Sequence, residues 1–249
     1  MAASDGWQFS GAASLAREAT ARLFGPVFGW YMRGPRVLGA EHLAELEEPV
    51  IVCPTHASHL DTSALRLALG PQYRRRLAPA VAADYFGANR VRWFFAAWLG
   101  AFQFVRSVSP DSMAAAEALL ARGWNILVFP EGTRTRTGDI GRFKPGVGLI
   151  AQRSGRPVLP VLITGTHEIL PPGAKRPRRG TVVVTFGSPI SVAEGEDVRH
   201  FVARLDAAVR ALREPDGAAT EPSAGQADPV VDEPGHDVRD PENEAEAAQ

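Results

Sequence analysis

The chain is poor in the features that mark disulfide-bonded, secreted or membrane-spanning proteins. It has a single cysteine, Cys53, among 249 residues, which excludes an intramolecular disulfide and a zinc site built from several cysteines. Its N-terminus lacks a basic start followed by an uninterrupted apolar core, so we expect no signal peptide. The longest apolar run, Trp93 to Phe102, reaches about half of the ~20 residues that a transmembrane helix needs. We therefore expect a protein that is cytosolic or peripheral on a membrane.

Charge is distributed unevenly along the chain. The stretch from Arg213 to the end holds 11 of the 28 acidic residues but only 2 of the 27 basic ones, a net charge of −9. The preceding 212 residues hold 17 acids and 25 bases, a net charge of +8. A basic body attracts phosphates on nucleic acid, a membrane or a small substrate, although a coding bias toward arginine would give the same composition. Residues 213–249, which lack aromatic side chains, are predicted to be a disordered acidic tail.

Residues 1–34 are predicted to form an N-terminal helical segment. Apolar side chains recur at helical spacing between residues 11 and 31, at Leu15, Ala19, Leu23, Val27 and Tyr31. Gly25-Pro26 predicts a kink or a split in this helix. The helix either packs on the body or lies as an amphipathic element in a membrane interface.

Residues 35–212 are predicted to form a single α/β layered domain, with a mixed, largely parallel central sheet flanked by helices. Apolar runs bounded by turn residues alternate with helical patterns from residue 49 onward. The predicted strands are 49–53, 78–83, 101–105, 124–129, 157–163 and 181–186. The predicted helices are 61–70, 90–99, 110–122, 146–154 and 197–212.

The first candidate for chemistry is the pair His56 and Asp61, which follows the predicted strand 49–53. On one continuous helix, residues five apart diverge by about 140° and do not pair easily. If His56 instead lies in the loop before a helix and Asp61 in its first turns, the carboxylate can fix one tautomer of the imidazole. The other ring nitrogen is then a base for a substrate hydroxyl. The alternative is a surface histidine beside an aspartate that begins a helix.

The second candidate is the segment Glu131-Gly132-Thr133-Arg134, which follows the predicted strand 124–129. Gly132 allows a ligand to approach the backbone closely. Thr133 offers a hydroxyl, and Arg134 offers a two-pronged donor that suits phosphate. The alternative is a basic loop with its charges in solvent.

Together these motifs resemble the glycerolipid acyltransferase family, which includes the 1-acylglycerol-3-phosphate and glycerol-3-phosphate acyltransferases. The resemblance is carried by His56 and Asp61, by Phe129-Pro130-Glu131-Gly132-Thr133-Arg134, and by two further blocks in the family's order. Gly100 to Arg106 is similar to the second block, which ends in an arginine that contacts the acceptor phosphate. Val158-Leu159-Pro160-Val161 is similar to the fourth block, an apolar strand around a proline. The resemblance covers residues 35 to 190.

The resemblance implies acyl transfer from acyl-CoA or acyl-carrier protein to a hydroxyl of a lysophospholipid. The most specific expectation is 1-acylglycerol 3-phosphate as the acceptor and phosphatidic acid as the product. His56 would be the base, Asp61 would orient it, and the hydroxyl would attack the thioester without an acyl-enzyme. Glu131 would position the glycerol or the arginine. The implied substrate-binding residues are Arg106, Glu131, Gly132, Thr133, Arg134 and Lys144, although Lys144 could equally be a solvated lysine. We expect no cofactor beyond the acyl donor, and no metal.

A lipid substrate also implies a peripheral position on the cytoplasmic face of a membrane, with an anionic lipid surface as a partner. The basic clusters 74–76 and 175–179 would favour such a surface or the phosphates of CoA. The apolar run from Trp93 to Leu99 would line an acyl tunnel, contact lipid or form a plain buried helix.

Three alternatives remain open at the level of sequence. The acceptor could be glycerol 3-phosphate or a glycolipid. A metal-dependent hydrolase is a distant alternative, because His59 lies near His56 and Asp61, but too few further ligands are present for a two-metal site. A non-catalytic nucleic-acid binder is the other. No nucleic-acid motif is present, so we expect no nucleic-acid partner.

Overall fold

The protein is described by a computed structural model that covers residues 6–44, 46, 49–82, 100–104, 109–174 and 176–213. In this part of the chain, seven strands form one sheet. They are β1 (Arg36–Leu38), β2 (Ile51–Pro54), β3 (Leu77–Ala82), β4 (Phe102–Phe104), β5 (Asn125–Leu127), β6 (Val158–Thr164) and β7 (Val183–Phe186). The helices are α1 (Gly11–Tyr31), α2 (Glu41–Ala44), α3 (Asp61–Ala68), α4 (Pro71–Arg75), α5 (Pro110–Ala121), α6 (Gly146–Ser154), α7 (Thr166–Ile169) and α8 (Val198–Ala211). A short 3-10 turn, Trp7–Phe9, precedes α1.

The strand order across the sheet is β1-β7-β6-β2-β5-β3-β4. Every neighbouring pair is parallel except β6 and β7, so β7 and β1 run opposite to the other five strands. This is the mixed, largely parallel sheet that the sequence predicts. The three central strands β6, β2 and β5 all end at the same edge of the sheet.

The core lies on both faces of the sheet, because successive side chains of a strand point to opposite sides. Ile51 and Cys53 of β2 join a cluster with α5, α6 and α8 on one face. Val50 and Val52 join a second cluster with α3 on the other face. All four residues of β2 are buried, which explains why its sequence is apolar throughout rather than alternating.

All six predicted strands are present, and so are the predicted helices 61–70, 110–122, 146–154 and 197–212. The predicted helix 90–99, most of the run from Trp93 to Phe102, and the tail from residue 214 lie outside the described residues. Strand β1 was not predicted, since it has three residues and two of them are exposed. The short helices α2, α4 and α7 were also missed.

The N-terminal helix α1 packs on the body along one face and leaves the other face uncovered. Ser10 caps its first turn by accepting a hydrogen bond from the Ala13 N–H at 3.2 Å. Ala13, Arg17 and Glu18 are buried, and Glu18 accepts hydrogen bonds from Arg74 of α4 at 2.6 and 2.9 Å. Of the kink or split predicted at Gly25-Pro26, the split is wrong, because α1 continues through Pro26, where the proline removes one backbone hydrogen bond. Within the described residues, no helix combines the length and hydrophobicity that a bilayer crossing requires.

Candidate active site

The candidate site lies at the edge where β2, β5 and β6 end. In parallel α/β sheets the loops after the carboxyl ends of neighbouring strands meet at one crevice, and ligands bind there. The segment Thr55–Leu60, which we call the base loop, follows β2 and leads into α3. The segment Gly132–Lys144, which we call the cationic loop, comes shortly after β5. Helix α7 follows β6 directly.

His56 and Asp61 are in contact. His56 lies in the base loop, Asp61 is the first residue of α3, and the distance from His56 Nδ1 to Asp61 Oδ2 is 2.8 Å. The predicted geometry, with the histidine before the helix and the aspartate in its first turn, is therefore confirmed. The imidazole also stacks on Phe129, with ring centroids 3.8 Å apart and an angle of 18° between the planes. Since a carboxylate only accepts hydrogen bonds, Nδ1 carries a proton, and in the neutral imidazole Nε2 has the free lone pair.

The Asp61 carboxylate is fully buried and fully paired. Its Oδ2 also accepts the backbone N–H groups of Ala57 at 2.7 Å and Ser58 at 2.8 Å. Its Oδ1 accepts the hydroxyl of Thr166 at 2.5 Å. Because a buried charge is tolerated only when it is hydrogen-bonded, these donors explain how Asp61 can be 0% exposed.

Glu131 ties the base loop to the cationic loop. Its Oε1 accepts the backbone N–H of His56 at 2.8 Å, and its Oε2 accepts the backbone N–H of Gly141 at 2.8 Å. Burial raises the pKa of the Glu131 carboxyl, and these two backbone hydrogen bonds oppose the rise. From the sequence we expected the Glu131 side chain to contact the acceptor or an arginine. In the structure, both of its carboxylate oxygens instead accept hydrogen bonds from backbone N–H groups.

Gly132 and Lys144, which the sequence marked separately, lie against each other. Gly132 has a φ of +70°, and a Cβ at this position would be 2.9 Å from Lys144 Nζ. The Lys144 N–H also donates to the Pro130 carbonyl at 2.8 Å. Glycine is therefore favoured here by the left-handed turn, and a Cβ would displace the flexible end of the Lys144 side chain.

The cationic loop carries positive charges without carboxylate partners. Thr133 and Lys144 are exposed, and Arg134 is partly exposed. Among the described residues, Arg134 and Lys144 form no ion pair, whereas Arg74, Arg153, Arg204 and Arg210 each do. The loop contacts the base loop, since the Thr135 N–H donates to the His56 carbonyl at 3.0 Å, and cationic donors of this kind suit a phosphate. Arg106 lies outside the described residues, so its predicted role stays a prediction.

Thr166 is a polar contact of this site that sequence reasoning missed. It follows Thr164 and Gly165 at the end of β6, five positions after Val161, the last residue of the block Val158-Leu159-Pro160-Val161. Its place just past an apolar strand is the same as that of His56, but the sequence does not reveal which residue its hydroxyl meets. Together with His56 and Glu131, it lines an open pocket whose other walls include Ile140, His167 and Arg213.

The described residues contain no group of three or more His, Cys, Asp or Glu side chains arranged to hold a metal ion. Among the described residues, the polar groups that contact His56 are the carboxylates of Asp61 and Glu131 and the backbone N–H of Thr135.

Comparison with known proteins identifies the family. A family model described as Acyltransferase matches residues 34–164, just over half of the chain. The chain is 30% identical over 159 residues to a chloroplastic 1-acyl-sn-glycerol-3-phosphate acyltransferase of Brassica napus, covering 62% of this chain and 44% of that protein. It is 41% identical over 81 residues to a 1-acyl-sn-glycerol-3-phosphate acyltransferase of Pseudomonas aeruginosa, covering 32% of this chain and 30% of that protein.

A solved structure shares the fold. The crystal structure of the 1-acyl-sn-glycerophosphate (LPA) acyltransferase PlsC from Thermotoga maritima matches with a TM-score of 0.65 and 24% identity, covering 84% of this chain and 83% of that one. The alignments with the Brassica protein and with the next two relatives span less than half of those proteins' length, 44%, 30% and 42%. The family match, the shared fold and the paired His56 and Asp61 agree, and the chain belongs to the acyltransferase family.

Proposed function

We propose that the protein transfers a fatty acyl group from acyl-CoA or acyl-carrier protein to the free hydroxyl of 1-acylglycerol 3-phosphate, giving phosphatidic acid. The observation that carries the proposal is the contact between His56 and Asp61 next to a loop whose cations Arg134 and Lys144 have no ion-pair partner among the described residues. A base beside unpaired positive charge suits a hydroxyl substrate that also carries a phosphate. The relatives with this printed activity support the same choice.

In this mechanism His56 acts through Nε2. The imidazole takes the proton of the acceptor hydroxyl while the hydroxyl oxygen attacks the thioester carbonyl carbon. The new C–O bond forms, the C–S bond breaks, and the imidazolium returns the proton to the leaving thiolate. Asp61 stabilises the imidazolium and holds the Nδ1–H tautomer. No acyl-enzyme is needed.

The phosphate of the acceptor would lie against the cationic loop. Arg134 can donate two parallel hydrogen bonds to phosphate oxygens, and Lys144 adds a point charge above Gly132. Thr133 adds an exposed hydroxyl, and we retain Arg106 as a further contact. Glu131, whose oxygens accept from the His56 and Gly141 backbone, would hold the base loop and the cationic loop in register.

We also propose that the uncovered face of α1 lies in the interface of a membrane, on its cytoplasmic side. Most of the large exposed apolar side chains of the described residues are on this helix: Leu15, Leu23, Phe24, Val27, Phe28 and Trp30. Leu23 is 71% exposed. An exposed apolar patch of this kind marks an interaction site, and Arg179, stacked 4.3 Å over the Trp30 ring, adds positive charge for anionic lipid.

An acceptor screen tests the activity. Purified protein receives one long-chain acyl-CoA or acyl-carrier protein together with 1-acylglycerol 3-phosphate, glycerol 3-phosphate or neutral 1-acylglycerol. Thiol release and lipid mass spectrometry measure transfer. We expect release to depend on 1-acylglycerol 3-phosphate. Release without any acceptor would indicate a thioester hydrolase and contradict the proposal, as would a preference for the neutral acceptor.

Vesicle sedimentation tests the membrane contact. Replacing Leu23 and Phe24 with serine should weaken binding to vesicles that contain phosphatidylglycerol by at least about tenfold, because each apolar side chain contributes roughly 1.5–3 kcal/mol when buried. Val37→Ser, an exposed apolar position outside α1, is the matched control and should bind normally. Equal binding by all three proteins would overturn the contact.

A further inference from the structure

Two side-chain hydrogen bonds join the region of the short helix α7 to the base loop and to the start of α3, which lie far from it in the sequence. Thr166, the first residue of α7, donates its hydroxyl to Asp61 Oδ1 at 2.5 Å, although the two residues are 105 positions apart. The Ser58 hydroxyl donates to the Leu170 carbonyl at 2.7 Å. Thr166, Ser58 and Asp61 are all 0% exposed.

The Thr166 hydroxyl is the one described partner of Oδ1. The other three donors, from His56, Ala57 and Ser58, all reach Oδ2. The terminal torsion of an aspartate is broad and has no strong preference of its own. The Thr166 hydroxyl adds a fourth hydrogen bond on the opposite oxygen, so it reinforces the three donors on Oδ2 in resisting rotation of the carboxylate plane. Without the Thr166 hydroxyl, a buried Oδ1 would lack a partner, and rotation to find one would carry Oδ2 away from the imidazole.

The backbone around Thr166 holds its hydroxyl in place. Gly165 has a φ of +85°, and a Cβ at this position would collide with the carbonyl oxygen of Thr181, so only glycine allows the turn from β6 into α7. Ile169, at the other end of α7, is fully buried in the core, and its carbonyl accepts the Arg178 N–H at 2.8 Å. The turn and these anchors fix Thr166 in front of Asp61.

We infer that Thr166 is a positioning residue for acyl transfer: it sets the plane of the Asp61 carboxylate and, through it, the orientation and tautomer of His56. This inference rests on the proposed function, because it requires His56 to be the base. Thr166 lies outside residues 34–164, which the family model matches. The inference gives the segment after β6 a role in orienting the catalytic base.

The test compares Thr166→Val, which keeps the shape and removes the hydroxyl, with Thr166→Ser, which keeps the hydroxyl. In the acceptor assay we expect Thr166→Val to lower kcat about tenfold to a hundredfold, because a misplaced catalytic group costs up to about that much. The KM for 1-acylglycerol 3-phosphate should stay within about twofold, since the hydroxyl does not touch the cationic loop. Thr166→Ser should recover most of kcat.

A control separates positioning from lost stability. Asp197→Ala removes the cap of α8, the hydrogen bond from the Arg199 N–H at 2.8 Å, and should cost about 1 kcal/mol of unfolding free energy. If Asp197→Ala and Thr166→Val lower Tm alike but only Thr166→Val lowers kcat, the positioning role is supported. If Thr166→Val keeps kcat within twofold of wild type, or if Thr166→Ser is as slow as Thr166→Val, the inference fails.

A second readout does not depend on turnover. In ¹⁵N-histidine NMR of the six histidines, the His56 signal is assigned by its loss in His56→Ala. We expect wild type and Thr166→Ser to show a protonated Nδ1 and an unprotonated Nε2, and Thr166→Val to show a mixture of tautomers. An unchanged spectrum in Thr166→Val would overturn the inference. Absence of acyl transfer by the wild-type protein would instead overturn the proposed function.

Discussion

The base loop and the cationic loop lie at the same sheet edge, but their polar groups are engaged very differently. Directly after the base loop, at the start of α3, the Asp61 carboxylate accepts four hydrogen bonds from within the chain, three of them from base-loop residues. In the cationic loop, Arg134 and Lys144 have no ion-pair partner among the described residues. The hydrogen bonds that position His56 and Asp61 form without a ligand. The positive charges of the cationic loop lack such partners in the part of the chain that the structure describes, and a bound anion would neutralise them. We therefore expect changes in the base loop to alter kcat and changes in the cationic loop to alter KM.

The sharpest way to break this comparison is His56→Ala. Removing the base should lower kcat about a thousandfold, since general base catalysis contributes roughly 10²–10⁴-fold. Acceptor affinity, measured as retention of the protein by 1-acylglycerol 3-phosphate in a binding assay, should change little. His200→Ala, an exposed histidine that pairs with Glu196, is the matched control and should turn over normally. A His56→Ala protein within tenfold of wild type would remove His56 from the mechanism.

Arg134→Ala should show the opposite pattern. A hydrogen bond to a charged group contributes about 1.5–3 kcal/mol, so the KM for the acceptor should rise roughly tenfold to a hundredfold with kcat nearly unchanged. Initial rates across acceptor concentrations measure both constants. Arg204→Ala, whose guanidinium is paired with Glu196 at 2.7 Å, should leave both constants alone. An equal loss of kcat with no change in KM would show that Arg134 does not bind the phosphate.

Gly132→Ala and Lys144→Ala should have smaller, coupled effects. A Cβ on Gly132 would meet Lys144 Nζ at 2.9 Å, so the alanine should displace the lysine and raise the acceptor KM severalfold, as Lys144→Ala should. If Gly132 acts on binding through Lys144, the double variant should be no worse than Lys144→Ala, because effects through one shared contact are not additive. Fully additive increases in KM would contradict the contact.

The smallest expected effect is a pH dependence that involves Glu131. Burial raises the pKa of this carboxyl above its ordinary value of 4.5, so the folded state binds the proton more tightly than the unfolded state does. The stability from this protonated form is fully present below pH 4.5 and is lost as pH rises through the raised pKa. In urea unfolding, the free energy of unfolding of wild type minus that of Glu131→Ala should therefore decrease with rising pH. A difference that stays constant or grows with pH would contradict this prediction.

The parts of the site that sequence could predict are those set by nearby residues. His56 and Asp61 are five positions apart, and the strand-to-helix change between them was visible in the apolar run and the helical pattern that follows. The partners of Glu131 could not be foreseen, because backbone N–H groups carry no sequence signature. Thr166 could not be foreseen either, since its meeting with Asp61 depends on β6 lying beside β2.

The fold was predictable to a similar degree and for similar reasons. Long apolar strands such as β6 were found from their composition, whereas β1, a three-residue edge strand with two exposed residues, was not. The order of the strands was not accessible, because residues with the same pattern can be placed at several positions in a sheet. The antiparallel pairing of β6 with β7 likewise has no signature in either strand alone.

The contact between Thr166 and Asp61 has a consequence for how the protein gains activity as it folds. The contacts that complete the base loop come from residues 75 and 105 positions away along the chain, and loops of that length close late and slowly. Helix α3 and its aspartate can form early and locally without orienting the histidine. During refolding, activity should therefore return with the docking of β5 and β6 on β2, after helical structure has recovered. The recovery of enzymatic turnover during refolding would then measure when the central strands of the sheet have assembled.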